Sequence, residues 1–357
     1  MVNNMKIWLV YYMQRIVQNR LFIDKIISTG KKFGLNIQLV TVEEIDELLE
    51  KHKPDAVIAR MINPFLTLKL EALGIRVFNN YSISNLCNNK ASSLRAINKL
   101  GIRHIPSIIV FSNDNKYNFE LLCNSHDKYD IYDELINNHD NYHMLTEKFS
   151  TYSTIESQTK NKTISNNVQL DSSLALDNED DYFYDKYIIK SVTGHGGKEV
   201  YLFSEFINNM MINLSSQEPD AEQYYTDKYL IQPLIEYGNR DLRVYIIGKN
   251  IIGAVLRTSE TGFKSNFSLG GKVQLYNLND EQKVVVQKIA EAFDFDYVGI
   301  DFLLDKNNNL IFNEIEDVVG ARMLSSCSDI DYVTLYIEYI NIMLHNHVEA
   351  CYNLDNV

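Results

Sequence analysis

The chain has 357 residues, 45% of them hydrophobic and 23% charged, with a formal net charge of −13. That composition describes a globular protein with room for two or three compact domains, and its acidity excludes nonspecific binding to nucleic acid or acidic membranes. No apolar run reaches the roughly twenty residues of a membrane span, and the four cysteines lack metal-finger spacing, so a reducing, cytoplasmic setting is expected.

Met5–Tyr11 reads as a buried strand. Arg15–Phe33 follows as a helix with Ile16, Phe22, Ile23, Ile26 and Ile27 at helical spacing and Gly34 as its stop. Asn36–Val40, Pro54–Ala59 and Ile75–Phe78 are further strands, separated by helices over Val42–His52 and Pro64–Leu73. Alternating strands and helices predict a parallel, Rossmann-like sheet. No G-x-G-x-x-G follows the first strand, so no dinucleotide site is predicted there. Ser82–Leu100 reads as one helix, capped at Ser84 or Asn85, containing Lys90 and stopped at Gly101. Ile105–Phe111 then reads as a linker running into a new strand, which places a domain boundary near residue 104.

Residues 113–185 turn to Asn, Asp, Ser and Tyr with weak apolar periodicity, with room for a helix or two. They read as a polar surface insertion. Lys186–Lys190 is a strand ending on a lysine, followed by a turn holding Gly194, Gly196 and Gly197 and by a return strand over Glu199–Phe203. Two strands around a loop of unobstructed amides can fold over phosphates. The Walker spacing is absent, because the lysine precedes the glycines.

Tyr229–Ile235, Asp241–Ile247 and Ile251–Arg257 are apolar strands, the last two joined through Gly248-Lys249-Asn250. Arg243 and Arg257 sit inside them, and an arginine in such a strand needs a partner. A structural ion pair with Asp241 or Glu260 is the simplest one. Gly262–Gly271 is a donor-rich loop, Asp280–Phe293 a helix, and Ile330–Leu344 a helix whose Val333, Ile337, Ile340 and Leu344 form a core stripe.

Tyr297–Leu324 is the stretch that carries most chemistry. Val298–Leu304 is a strand broken only by Asp301, Asp305–Asn309 is a turn, and the return strand from Leu310 carries Glu314 and Glu316 on one face. Three converging carboxylates repel one another unless a cation neutralises them, and oxygen ligands without His or Cys suit Mg²⁺ or Mn²⁺. A solvated hairpin edge is the plain alternative.

The order of these pieces is a helix lysine, a strand lysine with a glycine lid, a Gln-x-x-Ile strand, D-x-R before an apolar run, and an arginine strand. S-N-x-x-x-G-G, G-x-D and N-E-x-E complete it. This order strongly resembles the ATP-grasp superfamily. Within it, the chain resembles the ribosomal S6 modification (RimK-like) glutamate ligase type of carboxylate–amine ligase, over nearly its whole length except 113–185. The resemblance implies an α/β (α+β) chain with an N-terminal Rossmann-like pre-ATP-grasp domain over 1–104, a lid subdomain over 105–230, and a C-terminal antiparallel-sheet subdomain over 231–357.

It also implies ATP and two Mg²⁺ ions, with Mn²⁺ as a substitute. Lys90 and Lys190 would contact ATP phosphates, with Gly194, Gly196 and Gly197 closing over them. Adenine would lie against Gln232, Pro233, Leu234 and Ile235, with Asp241 near the nucleotide. Arg243 and Arg257 would be the catalytic pair at the γ-phosphate and acyl-phosphate. Asn266, Asp301, Glu314 and Glu316 would hold the metal.

The implied substrates are a small-molecule or peptide carboxylate and an amine, handled by a homo-oligomer with no nucleic-acid or membrane partner. Two departures concern the substrate end. The family's E-x-N and S-P-G turn is here Glu314-Ile315-Glu316 followed by Asp317-Val318-Val319-Gly320, and the arginine expected before the paired glycines is Leu269. A phosphotransferase and a nucleotide-binding module are the competing readings of the same scaffold.

Overall fold

The structure, a computed structural model, describes residues 5–113, 116–123, 141–150, 183–194, 199–207, 227–234, 240–258 and 272–354. Its elements form three sheets. The first is parallel, in the order β2-β1-β3-β4, from β1 (Lys6–Tyr11), β2 (Asn36–Thr41), β3 (Ala56–Ala59) and β4 (Arg76–Phe78). Its crossovers are α1 (Met13–Lys32), α2 (Ile45–Lys51) and α3 (Pro64–Ala72). Strands β1 and β3 are buried almost throughout, as expected for a sheet covered on both faces. Ile7 and Leu9 pack on the side of α1, whereas Trp8 and Val10 pack on the side of α2 and α3.

The single helix expected over Ser82–Leu100 is two helices, α4 (Tyr81–Cys87) and α5 (Lys90–Lys99). Their caps are Asn80, which accepts from the Ile83 N–H, and Asn89, which accepts from the Ser92 N–H. Asn89 takes φ −131° and ψ 103°, outside the helical region, because its side chain competes for the following amides. The break places Lys90 at the first residue of α5, where its own N–H reaches the Val192 carbonyl at 2.9 Å.

The second sheet is antiparallel, in the order β6-β5-β9-β7-β8. Its strands are β5 (Ser107–Asn113), β6 (Lys116–Leu122), β7 (Tyr187–Ser191), β8 (Val200–Leu202) and β9 (Asp227–Pro233). Strand β6 corrects the expectation of weak order from residue 113 onward, for it pairs with β5 along its whole length. Residues 141–150 are helical, and Leu145 and Phe149 enter the same core as Tyr184 and Tyr187. The rest of the segment, 124–140 and 151–182, lies outside the described residues.

The third sheet, β12-β11-β10-β13-β14, is also antiparallel. It comprises β10 (Arg240–Ile247), β11 (Asn250–Thr258), β12 (Lys272–Leu275), β13 (Tyr297–Leu304) and β14 (Leu310–Glu316). Gly248 opens the two-residue β10–β11 turn with φ +59°, the left-handed geometry such hairpins demand. Strand β12 and a short helix, Arg322–Cys327, were not expected from the sequence. The C-terminal helix, Tyr332–Leu354, buries the expected stripe in a core shared with α1. Among the described residues no helix is long and apolar enough to cross a membrane.

Two seams bring the sheets together. Leu94 and Ile97 of α5, Leu230 of β9 and Leu242, Phe302 and Phe312 of the third sheet form one core. Asn79, just after β4, donates to the Tyr297 and Asp317 carbonyls at 2.8 and 3.1 Å and accepts from the Asp296 and Tyr297 N–H groups. The parallel sheet is thus fixed to the root of β13, the strand that carries Asp301.

Candidate active site

Register in the third sheet assembles a row of charges that are distant in sequence. Arg243 of β10 lies opposite Asp301 of β13, Asp241 of β10 opposite Arg257 of β11, and Asp301 opposite Glu314 of β14. Asp301 accepts from Arg243 Nε and Nη2, each at 2.6 Å, and from Arg257 Nη2 at 2.7 Å. Arg243 Nη2 also donates to Glu316 Oε1 at 2.7 Å. Arg257 forms a bidentate pair with Asp241, with Nε 2.8 Å from Oδ1. Forked guanidinium pairs of this kind are strong and geometrically specific.

Asp241, Arg243, Arg257 and Asp301 are all buried, whereas Glu314 and Glu316 are half-buried. Burial alone would raise the Asp301 carboxyl, but Arg243 and Arg257 outweigh it and hold it down at about 2. Gly299 lets Val319 pack directly on β13, since a Cβ there would lie 2.5 Å from Val319 Cγ2, whereas it would only touch Arg243 Cδ at 3.4 Å.

Facing this row are the lysines. A bulge between Asp301 and Phe302 leaves Asn313 as the extra residue of β14, and its amide oxygen accepts from Lys190 Nζ at 3.3 Å. Lys90 Nζ donates to the Gly194 carbonyl and lies 3.8 Å from Glu314 Oε2. Burial pushes Lys190 down to about 8, against the pull of Glu314.

On β9, Gln232 is buried and donates to Ser107 Oγ at 2.6 Å, and its Oε1 has no hydrogen-bond partner among the described residues. Gln232 lies opposite Ile188, and Leu230 opposite Lys190, so Gln232 and Lys190 share one face of the second sheet. Pro233 closes β9, and the Leu234 N–H is taken by the Lys186 carbonyl at 2.7 Å. Gly196, Gly197, Ile235, Asn266 and the alternative partner Glu260 lie outside the described residues.

The structure thus brings Lys90 and Lys190 to the Arg/Asp/Glu row through Glu314 and Asn313 of β14. Asp301, Glu314 and Glu316 each offer a carboxylate oxygen within 4.8 Å of the others, a group able to hold a metal ion. Their oxygens are the hard donors Mg²⁺ takes, so the residues fit the ion. Neutralisation comes first from elsewhere, however, since Arg243 and Arg257 already balance Asp301. Both oxygens of Asp241 accept from Arg257, the ion pair expected for an arginine inside this strand. Asn313 went unassigned, though it opens N-E-x-E, because only the bulge turns it toward Lys190.

Comparison with known proteins identifies the fold and the family. The fold is that of ATP-grasp enzymes. The crystal structure of D-alanine–D-alanine ligase from Bacillus anthracis with ATP superposes with a TM-score of 0.59, at 13% identity, over 96% of this chain and 99% of that one. The ligase PsnB, complexed with a phosphomimetic variant of its minimal precursor, Mg and ADP, superposes at 0.53, with 14% identity over 95% and 98% of the two chains. A RimK-like ATP-grasp domain matches residues 158–340, and the chain belongs to the RimK-like ATP-grasp family. A probable alpha-L-glutamate ligase from Mannheimia succiniciproducens is 32% identical over 101 residues, 28% of this chain and 33% of that protein. The chain matches about a third of the length of the curated relatives, 36% of the uncharacterized protein MG011 of Mycoplasma genitalium and 33% of the Mannheimia protein.

Proposed function

We propose that the protein is an ATP-dependent, ADP-forming carboxylate–amine ligase that makes an amide bond through an acyl-phosphate. The observation that carries this reading is the meeting of two lysines, neither hydrogen-bonded to a described carboxylate, with a row of arginines and carboxylates whose charges are already paired. The names of the relatives support it, since one is called a glutamate ligase and PsnB was captured with Mg and ADP.

In the proposed reaction a substrate carboxylate oxygen takes the γ-phosphoryl group and ADP leaves. An amine then attacks the acyl carbon, phosphate departs with the C–O electron pair, and the amine proton passes to solvent. Lys90 and Lys190 meet the transferring phosphates with cations that no described carboxylate binds at hydrogen-bond distance. Arg243 and Arg257, fixed by Asp301 and Asp241, present preorganised charge where negative charge builds. Asp301, Glu314 and Glu316 would hold magnesium, which would supply further neutralisation of phosphate charge. Gln232, with a buried acceptor to spare, suits the amino group of adenine. The glycines that follow Lys190 in sequence suit a lid loop, and exclusion of water would protect an acyl-phosphate from hydrolysis.

The test is product analysis with Mg-ATP, pooled amino acids and dipeptides, and hydroxylamine. Amine-dependent release of ADP and phosphate, with a hydroxamate trapped, is expected. ADP without free phosphate would make the protein a phosphotransferase. AMP with pyrophosphate would overturn the mechanism.

A further inference from the structure

In the parallel sheet, ordered β2-β1-β3-β4, the chain leaves β1 toward one side for β2 and returns on the other for β3. The winding therefore reverses between β1 and β3. In open sheets of this kind, ligands bind outside the carboxyl ends of the strands at such a reversal. Tyr11 ends β1, and Arg60 is the first residue after β3, its N–H held by the Val10 carbonyl at 2.9 Å.

Arg60 is 8% exposed, and no carboxylate pairs with it among the described residues. Its Nη2 donates to the Val319 carbonyl at 2.7 Å. Nε has no hydrogen-bond partner, and Nη1 makes no hydrogen bond among the described residues. The buried hydroxyls of Tyr11 and Tyr297, both close enough to Arg60 to interact with its charge, also lack partners there. Asp317 feels the charge as well, but its carboxylate accepts from Ser84 and from Asn88, the latter at 3.1 Å. The guanidinium carbon lies over the rings of Phe22 and Tyr297, 5.2 and 5.8 Å from their centroids. Such ring contacts offset only part of the cost of burying a cation without a paired anion.

The position of this cation ties it to the charged row. Val319, which accepts from Arg60, follows Glu316 by three residues, at most about 11 Å of chain. Its side chain packs on Gly299, two residues before Asp301. Arg60 thus borders the row from the side of the parallel sheet, and the proposed reaction has given it no part.

We propose that Arg60 determines specificity by holding a substrate carboxylate that stays outside the bond being made, with the Tyr11 and Tyr297 hydroxyls as further donors. A planar guanidinium presents parallel N–H donors that match the two oxygens of a carboxylate. The chemistry at Arg60 is the same whether this carboxylate belongs to the acid substrate or to the amine. Calling the ligand a substrate rests on the ligase reading above.

The experiment is calorimetric titration of the full chain in the presence of Mg-ADP with two pairs of probes, succinate with succinamate and glycine with glycinamide. Saturable binding at millimolar concentration or below is expected for at least one acid, with its amide at least about tenfold weaker. Preference for succinate places the carboxylate on the acid substrate, and preference for glycine places it on the amine. In Arg60→Met the preference should vanish. In Arg60→Lys, which keeps the charge but not the fork, part of it should return. No saturable binding, equal binding within both pairs, or a preference that survives in Arg60→Met would overturn the proposal and leave Arg60 a strut for the Val319 carbonyl. Mg-ATP affinity reports whether the variants are folded, and the acid–amide comparison needs no variant. Binding requires no turnover, so AMP and pyrophosphate among the products would remove the ligase reading while leaving this preference standing.

Discussion

The cations of the site are held in opposite ways. Arg243 and Arg257 belong to neighbouring strands and contact carboxylate oxygens at 2.6–2.8 Å, so their charge is balanced before any ligand arrives. Lys90 and Lys190 come from the start of α5 and from β7, and their nearest described polar partners are the Gly194 carbonyl and the Asn313 amide, with Glu314 3.8 Å from Lys90. The arginines serve fold and chemistry together. The lysines make no carboxylate hydrogen bond among the described residues, Glu314 lying 3.8 Å from Lys90, and burial depresses Lys190.

Removing one member of each set gives the largest expected contrast. Arg257→Ala leaves Asp241 and part of Asp301 buried without their partner, and breaking a buried pair in this way costs about 3–5 kcal/mol. Lys190→Met removes a buried charge with no carboxylate partner at hydrogen-bond distance, so it should leave stability equal or higher while ATP binding falls. Urea unfolding of the two variants checks both. Equal destabilisation would erase the distinction between them.

Glu314→Gln separates metal binding from the fold. Glu314 is half-buried and, among the described residues, accepts no arginine hydrogen bond, so its loss should leave unfolding nearly unchanged. Turnover should drop by about 10²–10³-fold, the scale of losing one preorganised contact to developing charge. ADP release at saturating magnesium is the measurement, and wild-type turnover would remove Glu314 from the metal group.

Much of this was readable from the chain, and the gaps have specific causes. Alternation alone put Glu314 and Glu316 on one face and Asp301 beside them, and local turn chemistry set that hairpin. The Arg243–Asp301 pair is different, because it depends on the register of strands 58 residues apart, which no local pattern specifies. Strand β6 did carry a period-two signal in Tyr117, Phe119 and Leu121, all packed on the core of the second sheet, but the polar residues around it hid the pattern. The break in Ser82–Leu100 was written in Asn88-Asn89, two residues that favour caps over helix interiors.

The pH response of Lys190 sharpens the comparison further. Its folded value of about 8 lies below the ordinary 10.5, so between those values the unfolded chain holds more protons. Stability therefore rises with pH across that window, and the cost of burying the charge is full below about 8. Nucleotide affinity runs the other way, falling by up to about tenfold per pH unit as the lysine discharges. Lys190→Arg keeps its charge throughout and should flatten that fall. ATP titrations from pH 7 to pH 10 would show it, and an unchanged slope in the variant would assign the titration to another group.

The smallest effect tests how the other lysine is aimed. Asn89 caps α5 through the Ser92 N–H at 2.9 Å, and Lys90 is the next residue, its N–H fixed to the Val192 carbonyl. Asn89→Ala should cost about 1 kcal/mol of stability, the usual value of a side-chain cap. Its effect on ATP affinity should be small but real, because a frayed first turn lets Lys90 leave the Gly194 strand end. Asn89→Asp restores an acceptor and should recover both stability and affinity, whereas Asn89→Gly, nearly neutral as a cap, should recover stability alone. Loss of stability without any change in affinity would mean that Lys90 is aimed by its own contacts with Gly194 and Glu314. The cap would then matter only to the helix.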